Sequence, residues 1–109
     1  MSDECIFCKI GRSELPSEKV AETETAVAFF DKFPKAEVHI LIIPKKHITS
    51  IKDEGSENVA CELIKLAKQI AKDKNLAGYK LLFNVGREGG QMVDHLHLHL
   101  LSGKVSGTV

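Results

Sequence analysis

Three histidines alternate with leucines in the run His95-Leu96-His97-Leu98-His99, and Leu100 continues the pattern. On a strand successive side chains point to opposite faces, so His95, His97 and His99 share one face while Leu96, Leu98 and Leu100 share the other. A helix would scatter both sets. Neutral imidazole serves as nucleophile, proton carrier or metal ligand, so three on one face line a site, while the leucine row requires a core. One ion held by all three is the obvious alternative. At about 3.3 Å per residue the Cα atoms of His95 and His99 stand roughly 13 Å apart, against Zn–N bonds of about 2.0 to 2.1 Å. Adjacent members can still share an ion, but the outer two are expected to serve different neighbours.

Cys5-Ile6-Phe7-Cys8 has the spacing of half a zinc site, and a structural zinc takes four ligands, commonly two Cys and two His. Two unmetallated thiols is the plainer reading of the pair. A redox pair fits less well, since it belongs beside a βαβ unit that the N-terminal sequence lacks. Cys61 falls off the apolar stripe of its helix and reads as a free thiol.

The elements that must position these groups follow from periodicity and punctuation. Ile6, Phe7 and Ile10 have helical spacing before Gly11, which gives a short helix ending near Arg12, with residues 13–17 as a turn. Residues 19–22 and 26–30 read as two strands joined by Thr23-Glu24-Thr25, and residues 31–36 as a Pro-containing turn. Residues 37–43 form a central strand ended by Pro44, with His39 inside it. A long helix starts at Ser50 or Ser56 and runs to Lys74, with Val59, Leu63, Leu66 and Ile70 as its stripe and Asn75 and Gly78 closing it. Residues 79–85 are a strand, 86–90 a turn and 93–101 the last strand. Strands dominate and helices are segregated, so the fold class is α+β with an antiparallel sheet.

At 109 residues and 43% apolar content, the chain has enough material for one modest core and one domain, residues 1–109. Lys+Arg and Asp+Glu are both 15, so no net field attracts a nucleic acid, and an anionic ligand must be caught locally. The longest apolar stretch, residues 38–43, is far shorter than the roughly 20 residues of a membrane-spanning helix. Ser2-Asp3-Glu4 has no basic or apolar leader character, so a cytoplasmic protein is expected, with its three cysteines as thiols or ligands. No internal repeat or low-complexity tract is present.

The sequence resembles the histidine triad family, whose signature is His-φ-His-φ-His-φ-φ with φ apolar, and residues 95–101 fit every position. Ile6-Phe7 before Lys9-Ile10, Phe29-Phe30-Asp31, the stretch from His39 through Pro44-Lys45-Lys46-His47 to Ile48, and Asn84 with Gly89-Gly90-Gln91 resemble it in the same order. The likeness covers about residues 5–103 and is nearest to the Hint-type nucleotide-binding proteins, bacterial members included. It implies a homodimer whose five-stranded antiparallel sheets join, a purine nucleotide such as AMP or GMP as ligand, and cleavage or transfer of nucleoside 5′-phosphoramidates or related conjugates. His97 would attack the α-phosphorus, with His99 and His39 on the non-bridging oxygens and no catalytic metal. Ile6, Phe7, Ile10, Phe29 and Leu41 would take the base and Asp31 the ribose. Asn84, Gly90 and Gln91, with Met92 and Val93 beside them, would face the phosphate.

Some bacterial members hold a structural zinc on the residues that match Cys5, Cys8, His47 and His95. The resemblance extends that site to this chain. Many relatives carry Ser or Thr after the Gly-Gln before the triad, where its hydroxyl helps the leaving group depart; this chain has Met92. A non-catalytic nucleotide-binding module is therefore a second reading, and a zinc hydrolase using the triad itself a third.

Overall fold

Ala26–Phe30 and Val38–Pro44 carry almost uninterrupted apolar side chains, because both faces of the sheet they form are covered. The computed structural model describes residues 5–107 and 109; Ser2-Asp3-Glu4, on which the leader reading rests, lies outside the described residues. The strands are β1 (Lys19–Glu22), β2 (Ala26–Phe30), β3 (Val38–Pro44), β4 (Lys80–Leu82) and β5 (Leu98–Ser102), and the helices α1 (Ile6–Gly11) and α2 (Ser56–Asp73). All strand pairs are antiparallel, in the order β1-β2-β3-β5-β4. The expected α+β class and five-stranded sheet with one long and one short helix are present.

The period-two alternation sorts side chains into two layers. Ala26, Ala28, Ile40, Ile42, Leu98 and Leu100 face α2 and pack on Leu63, Ala67 and Ile70. Leu96 joins them, so the leucine row does enter the core. Val59 and Leu66 of the expected stripe are only partly buried, and Ala67 supplies a close-packing position between Leu63 and Ile70. On the opposite face Val27, Phe29, Leu41 and Ile43 pack on Phe7 and Ile10 of α1. The register sets Phe29 opposite Leu41 and Leu41 opposite His99, so the apolar floor runs straight into the histidines.

Helix α1 starts where expected and is capped by chemistry already singled out: the Cys5 sulfur accepts from the Cys8 N–H. Helix α2 begins at Ser56 rather than Ser50, after Gly55 at φ +80°. Its C-terminus closes through Asn75, whose φ of +55° is the left-handed turn that Asn tolerates.

Three strands differ from expectation in their bounds. The last strand begins at Leu98, not residue 93, because the Leu96 N–H bonds to the Ile48 carbonyl and the Gln91 amide holds the Thr49 and Val93 carbonyls. Leu96 thus bonds the loop after β3, and Gln91 links that loop to Val93. Strand β4 is correspondingly cut to Lys80–Leu82, since Leu82 pairs with His99 and no ladder partner continues beyond it. Pro44 belongs to β3, opposite Ala26, as a terminal residue whose missing N–H interrupts nothing.

Candidate active site and metal-ligand cluster

His97 is the centre of the histidine face. Its Nδ1–H donates to the His95 carbonyl at 2.7 Å; a carbonyl only accepts, so Nδ1 holds the ring proton and Nε2 keeps a lone pair. Burial lowers the His97 pKa, which favours that neutral form near pH 7. Phe7 stands edge-on to the His97 ring, centroids 5.2 Å apart, and to Phe29 at 5.7 Å.

His39 and His99 form a directed chain. The Lys35 backbone N–H donates to His39 Nδ1 at 3.0 Å, so neutral His39 carries its proton on Nε2. That Nε2–H lies 3.0 Å from His99 Nδ1 and donates to it, which leaves the His99 proton on its own Nε2. Burial, with His97 and His39 nearby, lowers the His99 pKa to about 4, and burial also lowers that of His39. The His97 and His99 ring centroids are 5.0 Å apart. Among the described residues Ser17 Oγ is the buried side-chain polar atom without a partner, so Nε2 of His97 and Nε2 of His99 both reach solvent. A nucleophilic lone pair thus stands beside an N–H donor. His39 has both ring nitrogens engaged, Nδ1 by the Lys35 N–H and Nε2 by His99.

Asp31 borders this chain. Its Oδ1 accepts from the Phe33 N–H at 2.9 Å, and its Oδ2 lies 3.5 Å from His39 Nε2. The carboxylate opposes the lowering of the pKa at His39, His97 and His99.

The apolar residues matched to a base site divide. Phe7, Ile10, Phe29 and Leu41 are buried in one cluster beside the histidines, with Val93 partly buried against it, whereas Ile6 is 48% exposed and outside the cluster. In the turn before the triad, Gly90 has φ +90°, and a Cβ there would stand 2.7 Å from Asn84 Nδ2, so only glycine fits. The Asn84 amide donates to the Val109 carbonyl at 3.0 Å. The Gly90 N–H bonds to the Arg87 carbonyl and the Gln91 N–H to the Gly86 carbonyl, so both amide donors are used inside the turn. Gln91 is 2% exposed, and its Oε1 accepts from the Gly86 N–H; it locks the turn. Met92 next to it is 81% exposed.

Cys5, Cys8, His47 and His95 converge in one cluster. Their ligand atoms all lie within 4.8 Å of one another, and this cluster could hold a metal ion. His47 Nδ1 is 3.1 Å from the Cys8 sulfur, and His95 Nδ1 is 3.2 Å from that of Cys5. Tetrahedral ligands at about 2.0 to 2.3 Å from zinc stand about 3.5 Å apart, so the donor set fits such an ion. His95 is oriented for it: its Nε2–H donates to the Pro44 carbonyl at 2.8 Å, which leaves Nδ1 as the donor atom. Burial and the Cys5 thiol push the Cys8 pKa up to about 11, a cost that a bound cation reverses by stabilising the thiolate. The four ligands come from the N-cap and first turn of α1, the segment after β3 and the segment before β5.

Sequence reasoning missed the backbone partners: the Pro44 and His95 carbonyls and the Lys35 N–H fix three ring orientations. No side-chain pattern announces a carbonyl's direction. The strand-ending Pro44 was the nearest signal.

Residues 12–105 match the HIT domain family. A purine nucleoside phosphoramidase of Escherichia coli K12 is 41% identical over 111 residues, spanning 98% of this chain and 93% of that protein. A HIT family hydrolase from Legionella pneumophila has a crystal structure that matches with TM-score 0.87 at 43% identity, over 93% of this chain and 94% of that one. A Zn-bound histidine triad family protein from Mycobacterium smegmatis matches with TM-score 0.83 at 28% identity, over 95% of this chain and 78% of that one. With its triad, its sheet and a family match over residues 12–105, this chain belongs to the HIT domain family.

Proposed function

We propose that this chain is a nucleotidyl hydrolase or transferase that cleaves purine nucleoside 5′-phosphoramidates, or related conjugates, through a nucleotidyl-histidine intermediate on His97. The observation that carries the reading is the 2.7 Å bond from His97 Nδ1–H to the His95 carbonyl, which leaves Nε2 free to attack. The name of the Escherichia coli relative, a purine nucleoside phosphoramidase, supports the substrate class.

His97 Nε2 attacks the α-phosphorus, an N–P bond forms and the bond to the leaving amine breaks, the amine taking its proton from solvent as it departs. Water then attacks the same phosphorus and gives up a proton to solvent, the bond to Nε2 breaks, His97 returns to its neutral form and the nucleoside monophosphate leaves. His99 donates its Nε2–H to a non-bridging oxygen as charge builds there. His39 holds His99 in the tautomer that makes this donation possible. The base lies against Ile6, Phe7, Ile10, Phe29 and Leu41, with Asp31 on the ribose hydroxyls. Asn84 reaches the phosphate from a turn shaped by Gly90 and Gln91, with Met92 and Val93 at its margin. Cys5, Cys8, His47 and His95 would hold a zinc ion, which would supply structural stability and leave the chemistry to the histidines.

The chain acts as a single domain, residues 1–109, in a cytoplasmic homodimer whose sheets join into one. A solution mass of twice the 12.0 kDa chain tests the pairing, and a 12.0 kDa species at working concentration contradicts it. Exposed Met92 favours one other reading, a nucleotide-binding module without turnover. Hydrolysis of adenosine 5′-phosphoramidate by wild type and His97→Ala separates the two. AMP release that disappears in the folded variant supports the enzyme, and binding of AMP without release by wild type supports the module.

A further inference from the structure

Each polar group of His95 outside its own N–H has a separate task. Nδ1 faces the two cysteine sulfurs, Nε2–H donates to the Pro44 carbonyl, and the main-chain carbonyl accepts from His97 Nδ1–H. One residue thus joins the metal-ligand cluster to the group that carries the lone pair. The segment that contains it is outside the ladder, since β5 begins only at Leu98. Its backbone orientation therefore depends on anchors other than strand pairing: the Leu96 N–H on the Ile48 carbonyl, the Gln91 amide, and the His95 ring itself.

A second connection runs through α1. Cys5 caps the helix and Cys8 lies within it, and between them in sequence Phe7 packs edge-on against both rings, 6.0 Å from His95 and 5.2 Å from His97. An ion bound by Cys5, Cys8, His47 and His95 would tie α1 to the segment before β5. It would hold Phe7 against the His97 ring from one side and the His95 carbonyl against its Nδ1–H from the other.

We propose that His95 is a positioning residue and that metal occupancy of its cluster sets the ring tautomer and orientation of His97. The metal is then coupled to the active site without touching substrate. The kinetic consequence rests on the reading of His97 as nucleophile; the ring state does not. Without the ion the His95 ring keeps the Pro44 carbonyl and weak thiol contacts to Cys5 and Cys8, and α1 is held to the triad segment by side-chain packing alone. His97 then samples both neutral tautomers, and only one of them leaves Nε2 free.

Nitrogen NMR of the histidine rings, at one pH, on zinc-loaded and metal-free wild type tests this, with kcat and KM for adenosine 5′-phosphoramidate measured on the same samples. The expected result is a single Nδ1–H tautomer of His97 when loaded and a mixture when metal-free, with kcat lower by about 10-fold to 100-fold and KM little changed. An unchanged His97 tautomer, or an unchanged kcat, in folded metal-free protein overturns the coupling. If metal-free wild type unfolds, His47→Ala decides, because His47 is the exposed ligand and its loss weakens the site from outside. Loaded to graded zinc occupancy, this variant should show the Nδ1–H population of His97 rising with bound zinc; a population independent of occupancy overturns the proposal. If loaded wild type releases no AMP, the catalytic reading fails and the ring spectra alone decide the coupling.

Discussion

His39 Nε2 lies 3.0 Å from His99 Nδ1, and the Lys35 N–H on the far side of His39 makes this contact directional. The proton order runs from the Lys35 amide through His39 to His99, so that the last N–H in the chain is the one on His99 Nε2. Replacing His39 therefore acts at a distance. His39→Ala removes the donor that fixes His99 and should lower kcat by about 10-fold to 100-fold, the usual scale for a residue that orients another, with KM little changed. It also leaves the Lys35 N–H without its acceptor, at about 1–3 kcal/mol of stability if no water replaces it. Steady-state kinetics and a urea titration read the two effects separately.

The buried His99 ring predicts an acid sensitivity with a definite sign. Its pKa is held at about 4 in the folded chain by burial, with His97 and His39 adding to the shift and Asp31 opposing it, against about 6.5 when exposed. Between these values the unfolded chain binds the proton and the folded chain does not, so stability is lost as pH falls from about 6.5 toward 4. The contribution is fully present above 6.5. Unfolding free energies of wild type and His99→Gln at several pH values isolate it: wild type should lose more stability than the variant across that window, and parallel losses would remove His99 as the cause.

Zinc removal tests the Cys5, Cys8, His47 and His95 site through stability. The cluster joins α1 to two segments distant in sequence, so metal loss should lower the melting temperature by about 10 °C or more. Purified protein should contain one zinc per chain, and Cys8→Ser should contain almost none. A melting temperature that chelation leaves unchanged would argue for two plain thiols.

Met92 offers a gain-of-function test. Its side chain is 81% exposed, so Met92→Ser should leave stability within about 0.5 kcal/mol. A hydroxyl that donates to a departing amine contributes about 1 kcal/mol, which is roughly fivefold in rate. Turnover of substrates with poor amine leaving groups should rise by that order, and turnover of substrates with good leaving groups should not. Parallel single-turnover measurements on the two substrate types make the comparison.

Most of the architecture was legible because it rests on periodicity. Alternation in Leu96, Leu98 and Leu100 assigned the core face, and Leu63 and Ile70 assigned the helix that covers it. The cluster at Cys5, Cys8, His47 and His95 was legible only through family resemblance, since His47 is 39 residues from Cys8 and nothing local links them. What the sequence concealed is carried by the main chain. Side-chain alternation continues from His95 to Leu101, yet ladder pairing starts at Leu98, because the Leu96 N–H and the Gln91 amide are spent on the loop at Ile48 and Thr49. The same concealment applies at His39, where no side-chain pattern announces the Lys35 N–H that fixes its ring.

The central claim is that His97 Nε2 forms a bond to phosphorus. Wild type mixed with excess adenosine 5′-phosphoramidate, quenched in alkali within one turnover and analysed by mass spectrometry, should carry one adenylyl group on the peptide that contains His97, and His97→Ala should carry none while releasing at least about 10³-fold less AMP. AMP release at the wild-type rate by folded His97→Ala, or an adenylyl group on another residue, would contradict it.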